Sequence, residues 1–280
     1  APESPFHTTT IEVRGIPVKA FAAAPPTMRA LWEASAAHAD KEYIVYEDER
    51  YTYGEIHEQV RKLVKYLADH GVTHHSRIAI AMRNYPEWVV AYWAGIVLGA
   101  AVVGMNAWWT PVEMEYALND SQPAMLIVDD ERLERYLAMP TAMDIPLISV
   151  RTERAMPAGG VRWTDVMATA DPGSLPPVPI DPDDDATIFY TSGTTGFPKG
   201  AQLTHRGSIT NIMNLSVMSA AAALAEQKAV AAGDVPAPAT PPVARPTVFM
   251  APTPLFHVTA CNCLLHPATA AGAKLVFTYK

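Results

Sequence analysis

A long uncharged run is the feature that most restricts how this chain can fold. No charged residue lies from Trp88 to Val112, a length that could cross a bilayer. Gly99 and Gly104 interrupt the run, however, and no Lys or Arg brackets its end. We therefore expect a buried helix over residues 88–98, a buried strand over 100–104 and no transmembrane span.

Helices and strands are predicted to alternate around this run. Thr52 and Glu55 form a T-x-x-E capping box, apolar residues follow at helical spacing, and Gly71 marks the helix end. Short apolar runs predict strands, and a further helix is predicted between two of them. The strands are predicted over 77–82, 124–128 and 186–190, and the helix over 112–118. This alternation predicts an α/β fold with mostly parallel sheets flanked by helices.

Two proline-rich segments indicate how the chain is organised. Residues 171–185 hold five Pro and five Asp, which is typical of an extended connector. Residues 233–246 form a second such segment, predicted to be a surface excursion. We place a boundary at the first segment, so that residues 1–170 form one α/β subdomain and residues 171–280 form part of a second.

Charge and cysteine content narrow the function. The chain has 21 Lys and Arg against 29 Asp and Glu, a formal charge of −8, which disfavours nucleic acid as a partner. The two cysteines, Cys261 and Cys263, are too few and too close for a disulfide framework. The first residues lack the basic and then apolar order of a signal peptide. We expect a cytoplasmic protein, and its oligomeric state stays open.

A glycine-rich loop carries the strongest chemical signal. The stretch FYTSGTTGFPKGAQLTH, residues 189–205, follows a predicted strand and leads to a helix predicted to begin near Thr204 or His205. Groups suited to phosphate are the backbone at Gly193, Gly196 and Gly200, the hydroxyls of Ser192, Thr194 and Thr195, and the charge of Lys199. The loop is not a Walker A sequence, because Pro198 replaces its second glycine and Gly200 its magnesium-binding Ser or Thr.

The segment TSGTTGFPKG, residues 191–200, instead resembles the phosphate-binding signature of the adenylate-forming enzymes, which include the acyl-CoA synthetases. Three further segments resemble motifs of this family in the same order. They are YTYGEIHEQVRKLVKYLADHGV (51–72), WAGIVLGAAVVGMN (93–106) and PLFHVTA (254–260). Together the motifs cover about residues 50 to 260. The resemblance implies the fold of the N-terminal domain of an adenylate-forming enzyme. Within that family, the residues of these motifs are most similar to those of fatty-acyl-CoA ligases.

The resemblance also implies a reaction and its site. A carboxylic acid, predicted to be a fatty acid, attacks the α-phosphate of ATP to give acyl-AMP, and the thiol of coenzyme A then takes the acyl group. Lys199 and His257 are implied as catalytic residues, His257 as a positioning group near the acid carboxylate. Thr191 is implied to reach Mg²⁺. The implied phosphate-binding residues are Thr191, Ser192, Gly193, Thr194, Thr195, Gly196, Pro198, Lys199 and Gly200.

Several alternatives stay open at this point. The chain could be a nucleotide-binding scaffold without catalysis, or a phosphate-loop NTPase. His257, Cys261, Cys263 and His266 are four potential zinc ligands within ten residues, although C-x-C is not the usual zinc turn. Trp108 and Trp109 either line an acyl channel or pack in the core. Peripheral contact with a membrane is also compatible with a fatty-acid substrate.

Later motifs of the resembled family have no counterpart in this sequence. We find neither the YG-x-TE segment nor the lysine of the small C-terminal lid domain. We therefore expect an N-terminal portion, incomplete at its C-terminal end and without that lid domain, which does not complete turnover on its own.

Overall fold

A computed structural model describes residues 4–168, 172–191, 196–236 and 246–278. Its strands are β1 (Thr8–Val13), β2 (Ile16–Phe21), β3 (Glu42–Tyr46), β4 (Glu49–Thr52), β5 (Arg77–Ala81), β6 (Ala101–Gly104), β7 (Met125–Asp129), β8 (Leu147–Val150), β9 (Gly160–Arg162), β10 (Asp185–Thr191), β11 (Lys199–Thr204), β12 (Val248–Ala251) and β13 (Lys274–Phe277). Its helices are α1 (Met28–Ala34), α2 (Tyr53–Asp69), α3 (Pro86–Leu98), α4 (Pro111–Ser121), α5 (Asp130–Leu137), α6 (Trp163–Met167), α7 (His205–Ala232), α8 (Val258–Ala260) and α9 (His266–Ala271).

The described strands form two large sheets and one hairpin. The first sheet has the order β11-β10-β6-β5-β7-β8-β9, and every neighbouring pair is parallel except β10 and β11. The second has the order β12-β13-β3-β4, in which only β3 and β4 are antiparallel. Strands β1 and β2 pair as a separate antiparallel hairpin. The predicted α/β class with mostly parallel, helix-flanked sheets is confirmed.

The uncharged run folds as a buried helix and a buried strand, as predicted. Helix α3 is buried over nearly its whole length, since α1, α2 and strands of both sheets pack around it. It ends at Gly99, whose φ of 68° suits glycine. A Cβ atom there would lie 2.6 Å from Cδ2 of His74, so the turn into β6 also requires the absence of a side chain.

A different helix meets the length and composition expected of a membrane span. This helix is α7, of which 17% of the most apolar window is buried. Length and composition alone are weak evidence, because core helices of soluble proteins and signal sequences pass the same test. Within the described residues, α3 is too short to meet it.

The predicted capping box at the start of α2 is present. The N–H of Glu55 donates to the hydroxyl of Thr52 over 3.2 Å, and the N–H of Thr52 donates to the Glu55 carboxylate over 2.7 Å. Thr110 and Glu113 form a second capping box, which begins α4 just before the predicted start. These contacts satisfy N–H groups that have no partner within the helix.

Both sheets combine strands from either side of the boundary predicted at residue 171. Strands β10 and β11 join the first sheet, and β12 and β13 join the second beside β3 and β4. Any division made at this point of the chain therefore passes through both sheets. The assignment of residues 1–170 and 171–280 to two subdomains stays a prediction.

Two buried histidines make the stability of this fold sensitive to acid. His205 and His266 are fully buried, and burial lowers their pKa to about 4 and about 3. Both would titrate near 6.5 in the unfolded chain, so below that pH the unfolded state binds protons that the folded state does not. Their contribution to stability is fully present above pH 6.5 and is lost as the pH falls to about 4 for His205 and about 3 for His266.

We expect the free energy of unfolding to decrease by up to about 1.4 kcal/mol per pH unit for each histidine over this range. Urea unfolding at pH 7 and at pH 5 measures the difference in the free energy of unfolding between the two pH values. His266→Gln should reduce the difference, whereas the control His70→Gln, at an exposed position, should leave it unchanged. An equal acid sensitivity in all three proteins would contradict the assignment.

Candidate active site

Strand β10 carries the predicted phosphate loop at its carboxyl end. It pairs in parallel with β6 and in antiparallel with β11, so that Thr191 lies opposite Lys199. The hydroxyl of Thr191 donates to the carbonyl oxygen of Lys199 over 3.5 Å. The predicted phosphate ligands Ser192, Gly193, Thr194 and Thr195 lie outside the described residues. The β10–β11 hairpin therefore brings Thr191 and Lys199 together at the ends of the loop.

The segment after the loop differs from the expected order of strand, loop and helix. Helix α7 does begin at His205, with the Thr204 hydroxyl accepting a hydrogen bond from the N–H of Gly207 over 3.1 Å. Strand β11 lies between the loop and this helix, however. The helix N-terminus does not follow the glycines directly. Among the residues that the structure describes, Lys199 is the charged residue next to the loop.

Two residues of the predicted phosphate set have structural roles within the hairpin. Gly200 lies opposite Tyr190, and a Cβ atom on it would be 2.9 Å from Cγ2 of Ile188. Gly196 has a φ of 121°, which side chains rarely permit. The need for glycine at these two positions is thus explained by backbone geometry and packing. Their roles in phosphate binding, and that of Pro198, stay predictions.

The PLFH segment meets the first sheet beside the loop-bearing strand. A Cβ atom on Gly104, at the end of β6, would lie 3.0 Å from Cδ1 of Phe189 and 3.1 Å from the carbonyl oxygen of Phe256. Phe189 belongs to β10 and Phe256 precedes His257. Three motifs that are far apart in the sequence therefore meet at one point of the sheet.

Asn84 holds this segment in place, although no motif of the sequence pointed to it. Its amide nitrogen donates to the carbonyl oxygen of Thr253 over 2.9 Å, and its amide oxygen accepts from the N–H of Leu255 over 2.8 Å. Asn84 follows the end of β5, at the edge where the carboxyl ends of parallel strands gather and ligand sites commonly form. A polar residue just beyond a buried strand was the available signal.

His257 lies exposed at the N-terminal end of α8. Its N–H donates to the carbonyl oxygen of Pro254 over 3.1 Å, and its ring lies 5.2 Å from that of Phe256. The turn that contains it is thus fixed by its own backbone. The imidazole remains accessible to a ligand, which the predicted positioning role requires.

A groove separates the segment that follows Lys199 from the segment that follows His257. We call it the β11–α8 groove. It has a volume of about 500 Å³ and is lined by Gln202, Leu203, Thr204, Gly207, Asn211, Val258, Thr259, Asn262 and Cys263. The amide nitrogen of Asn211 donates to the carbonyl oxygen of Asn262 over 2.9 Å across it. The side-chain oxygen of Asn262 is buried and has no hydrogen-bond partner among the described residues.

A second cleft of about 240 Å³ lies at the carboxyl ends of strands from both sheets. Its lining includes Arg83, Asn84, Trp108, Pro254 and Phe256. The ring of Trp108 is 58% exposed and lies 5.2 Å from that of Phe256. The neighbouring indole of Trp109 is buried instead and packs edge-on against Tyr190 at 5.4 Å. Of the two tryptophans, Trp108 lines a cleft and Trp109 belongs to the core.

The four potential zinc ligands near His257 do not converge. Cys261 is buried and its Sγ atom lies 3.4 Å from Nε2 of His266, which also contacts the Tyr92 hydroxyl at 2.6 Å. Cys263 is exposed on the groove. Among the residues described, the cluster that brings three metal-ligating side chains together lies elsewhere, at His74, His75 and Asp184. The zinc alternative therefore has no support from this geometry.

Comparison with known proteins agrees with the motifs. Residues 31–280 match the family model described as AMP-binding enzyme, and the chain belongs to this family. It is 31% identical over 239 residues to 4-coumarate–CoA ligase 2 of Oryza sativa subsp. japonica, covering 80% of this chain and 38% of that protein. It is 30% identical over 181 residues to 4-hydroxybutyrate–CoA ligase 2 of Metallosphaera sedula, covering 62% and 33%.

The fold is similarly shared with solved structures of adenylate-forming enzymes. The crystal structure of the anthranilate CoA ligase AuaEII in complex with anthranoyl-AMP superposes with a TM-score of 0.72 at 20% identity, over 90% of this chain and 45% of that chain. The chain therefore spans less than half the length of the relatives that it matches here.

The anchoring role of Asn84 is testable by an exchange that keeps its size. Asn84→Leu removes both hydrogen bonds and leaves the partly buried backbone groups of Thr253 and Leu255 without a side-chain partner. We expect a loss of about 1–3 kcal/mol in the free energy of unfolding and faster hydrogen exchange at the Leu255 amide. Asn119→Leu, on the exposed face of α4, is the matched control. Unchanged exchange at Leu255 in Asn84→Leu would show that the anchor is dispensable.

The two cysteines should differ in reactivity. Cys261 is buried and burial raises the pKa of its thiol, whereas Cys263 is exposed; the thiolate is the reactive form. We expect iodoacetamide to modify one thiol per native chain. Modification should be lost in Cys263→Ser and retained in Cys261→Ser, as measured by intact mass. Equal labelling of both cysteines before unfolding would refute this arrangement.

Proposed function

We propose that this chain supplies the phosphate loop and the acid-binding wall of an ATP-dependent acid–CoA ligase. The observation that carries the proposal is the position of the β11–α8 groove. One wall follows directly from Lys199 along β11, and the other follows directly from His257 through α8. A carboxylic acid bound in this groove would therefore have the Lys199 cation at the start of one wall and the His257 imidazole at the start of the other.

The chemistry requires two anions to meet. The acid carboxylate attacks the α-phosphorus of ATP, the bond to the β-phosphate oxygen breaks, and pyrophosphate leaves with acyl-AMP as the other product. The thiol of coenzyme A then attacks the acyl carbon and AMP leaves. Negative charge accumulates in the first step, so a fixed cation such as Lys199 stabilises its transition state. A carboxylate is already a nucleophile and needs no base, which is consistent with a positioning role for His257.

Mg²⁺ fits the oxygen atoms available at the end of β10. The hydroxyl of Thr191 is exposed there, and Mg²⁺ prefers a few oxygen ligands together with phosphate oxygens. Bound with ATP, the ion would neutralise part of the triphosphate charge. Thr191 is the residue of the described hairpin that we propose as its ligand.

The class of acid is the open part of this proposal. The sequence motifs predict a fatty acid, whereas the relatives described above are named for 4-coumarate and 4-hydroxybutyrate. The groove combines apolar side chains, such as Leu203 and Val258, with the amides of Asn211 and Asn262. We retain the fatty acid as a prediction to be compared with hydroxylated acids.

Nucleotide binding is the direct test. Titration calorimetry of the chain with ATP and Mg²⁺ should show binding, and Lys199→Ala should weaken it about tenfold because a charge-assisted contact is lost. Lys228→Ala is the matched control. Lys228 is exposed on α7, about 35 Å from the helix start at 1.5 Å per residue.

The outcomes separate the alternatives. Absence of heat would rule out nucleotide binding, and with it both the ligase and the nucleotide-binding scaffold, and release of phosphate from ATP without any acid would favour an NTPase. Either result would overturn the proposal.

A separate experiment can identify the acid, with protection of Cys263, which lines the groove, as its readout. Acids that bind there with ATP should slow its alkylation, and palmitate, 4-coumarate and 4-hydroxybutyrate form the comparison set.

A further inference from the structure

A second cluster of chemically active side chains lies away from the nucleotide site. His74 and His75 occupy the turn between α2 and β5, and Asp184 immediately precedes β10. Nε2 of His74 lies 2.8 Å from Oδ2 of Asp184, and Nδ1 of His75 lies 4.0 Å from Oδ1. The ligand atoms of all three residues lie within 4.8 Å of one another.

We propose that His74, His75 and Asp184 form a binding site for a divalent transition metal, with Zn²⁺ as its natural occupant. Two imidazole nitrogens and one carboxylate suit zinc and its neighbours, whereas Mg²⁺ and Ca²⁺ prefer oxygen alone. Ligand bonds of about 2.1 Å require ligand atoms no more than about 4.2 Å apart. The 4.0 Å contact between His75 and Asp184 satisfies this limit, and the 2.8 Å contact between His74 and Asp184 is a hydrogen bond that the ion would replace.

The side chain that has to move furthest is free to do so. The imidazole of His75 is 67% exposed and is stacked on His74 with a ring separation of 3.7 Å. Rotation about its side-chain bonds would turn its nitrogen towards the ion. The backbone of His75 is held, in contrast, at a φ of 67° by a hydrogen bond from its N–H to the carbonyl oxygen of Gly99 over 3.0 Å. The strained turn keeps both imidazoles on the same side of the chain.

Asp184 is prepared as a metal ligand by its surroundings. The N–H of Asp181 donates to Oδ2 of Asp184 over 2.8 Å, and Nε2 of His74 lies 2.8 Å from the same oxygen. Hydrogen bonds of this kind orient the ligands around protein-bound metals.

The remaining coordination positions would face solvent. A cavity of about 330 Å³ adjoins the cluster and is lined by Arg14, His75, Arg77, Ala101, Asp183, Asp184, Asp185 and Ile188. Arg14 donates to the carbonyl oxygen of Asp183, next to the cluster, and Arg77 donates to the carbonyl oxygen of Ser121. Asp183 pairs with Arg206 at 2.7 Å. Water can therefore complete a tetrahedral shell, as in zinc sites with three protein ligands.

A metal here would act at the amino ends of the strands, opposite the edge that carries the proposed nucleotide site. His75 precedes β5 and Asp184 precedes β10, and these strands lie on either side of β6. The ion would join the two segments that enter the centre of the first sheet. We therefore expect it to stabilise the fold rather than to take part in acid activation.

The test uses Co²⁺ as a spectroscopic probe and Zn²⁺ as a competitor, with chelator-treated chain. Co²⁺ should bind with visible d–d bands, and Zn²⁺ should abolish them. His75→Ala should lower the Co²⁺ affinity at least tenfold, and Asp184→Asn should do so as well. His70→Ala, an exposed histidine outside the cluster, and Cys263→Ser are controls that should bind as the native chain does.

A thermal measurement gives an independent readout, because a ligand that binds the folded state raises the melting temperature. Zn²⁺ should raise it in the native chain and in His70→Ala but not in His75→Ala, which loses an exposed side chain and should fold normally. Absence of Co²⁺ bands at millimolar concentration would overturn the proposal. Equal binding by His75→Ala, or loss of binding in Cys263→Ser, would also overturn it by locating the metal elsewhere.

Discussion

Burial of helix α3 is the constraint on which the rest of this structure depends. Nearly every side chain from Pro86 to Leu98 is inaccessible to solvent, and each large apolar side chain buried in this way contributes about 1.5–3 kcal/mol. The helix packs against α1 and α2 and against strands of both sheets. Trp93 stacks on Trp32 with a ring separation of 4.9 Å. A Cβ atom on Gly95 would lie 2.7 Å from Cγ2 of Val102, so the helix and β6 approach as closely as their backbones allow.

This packing decides where the candidate active site forms. Strands β5, β6 and β10 are neighbours and parallel, so their carboxyl ends meet at one edge. Asn84, Gly104 and Thr191 each lie at or just beyond one of these ends. The PLFH segment is bound to the same edge through Asn84. The proposed chemistry therefore depends on loops that are held by the buried central strands of the first sheet, a common arrangement in α/β proteins.

The sequence predicted the fold class and most of the central elements because their signals are local. The capping box at Thr52 and Glu55 and the glycine at the end of α3 act over a few residues. Strand β11 was missed, since its six residues, KGAQLT, carry little apolar pattern and pair only as the edge of a sheet. The zinc alternative near His257 also came from spacing alone. Spacing does not reveal that Cys261 faces the core while Cys263 faces the groove.

By itself, the sequence determined that the chain belongs with the AMP-binding enzymes, that an uncharged run is buried, and which residues around Thr191 and Lys199 are suited to phosphate. These properties reside in contiguous segments, where composition and order carry the information. Only the tertiary structure decided that Gly104, Phe189 and Phe256 meet, that Asn84 anchors the PLFH segment, and that His74 and His75 lie against Asp184. Each of these contacts joins residues far apart in the chain, and they arise because burial of α3 and the parallel pairing of the strands bring those segments together.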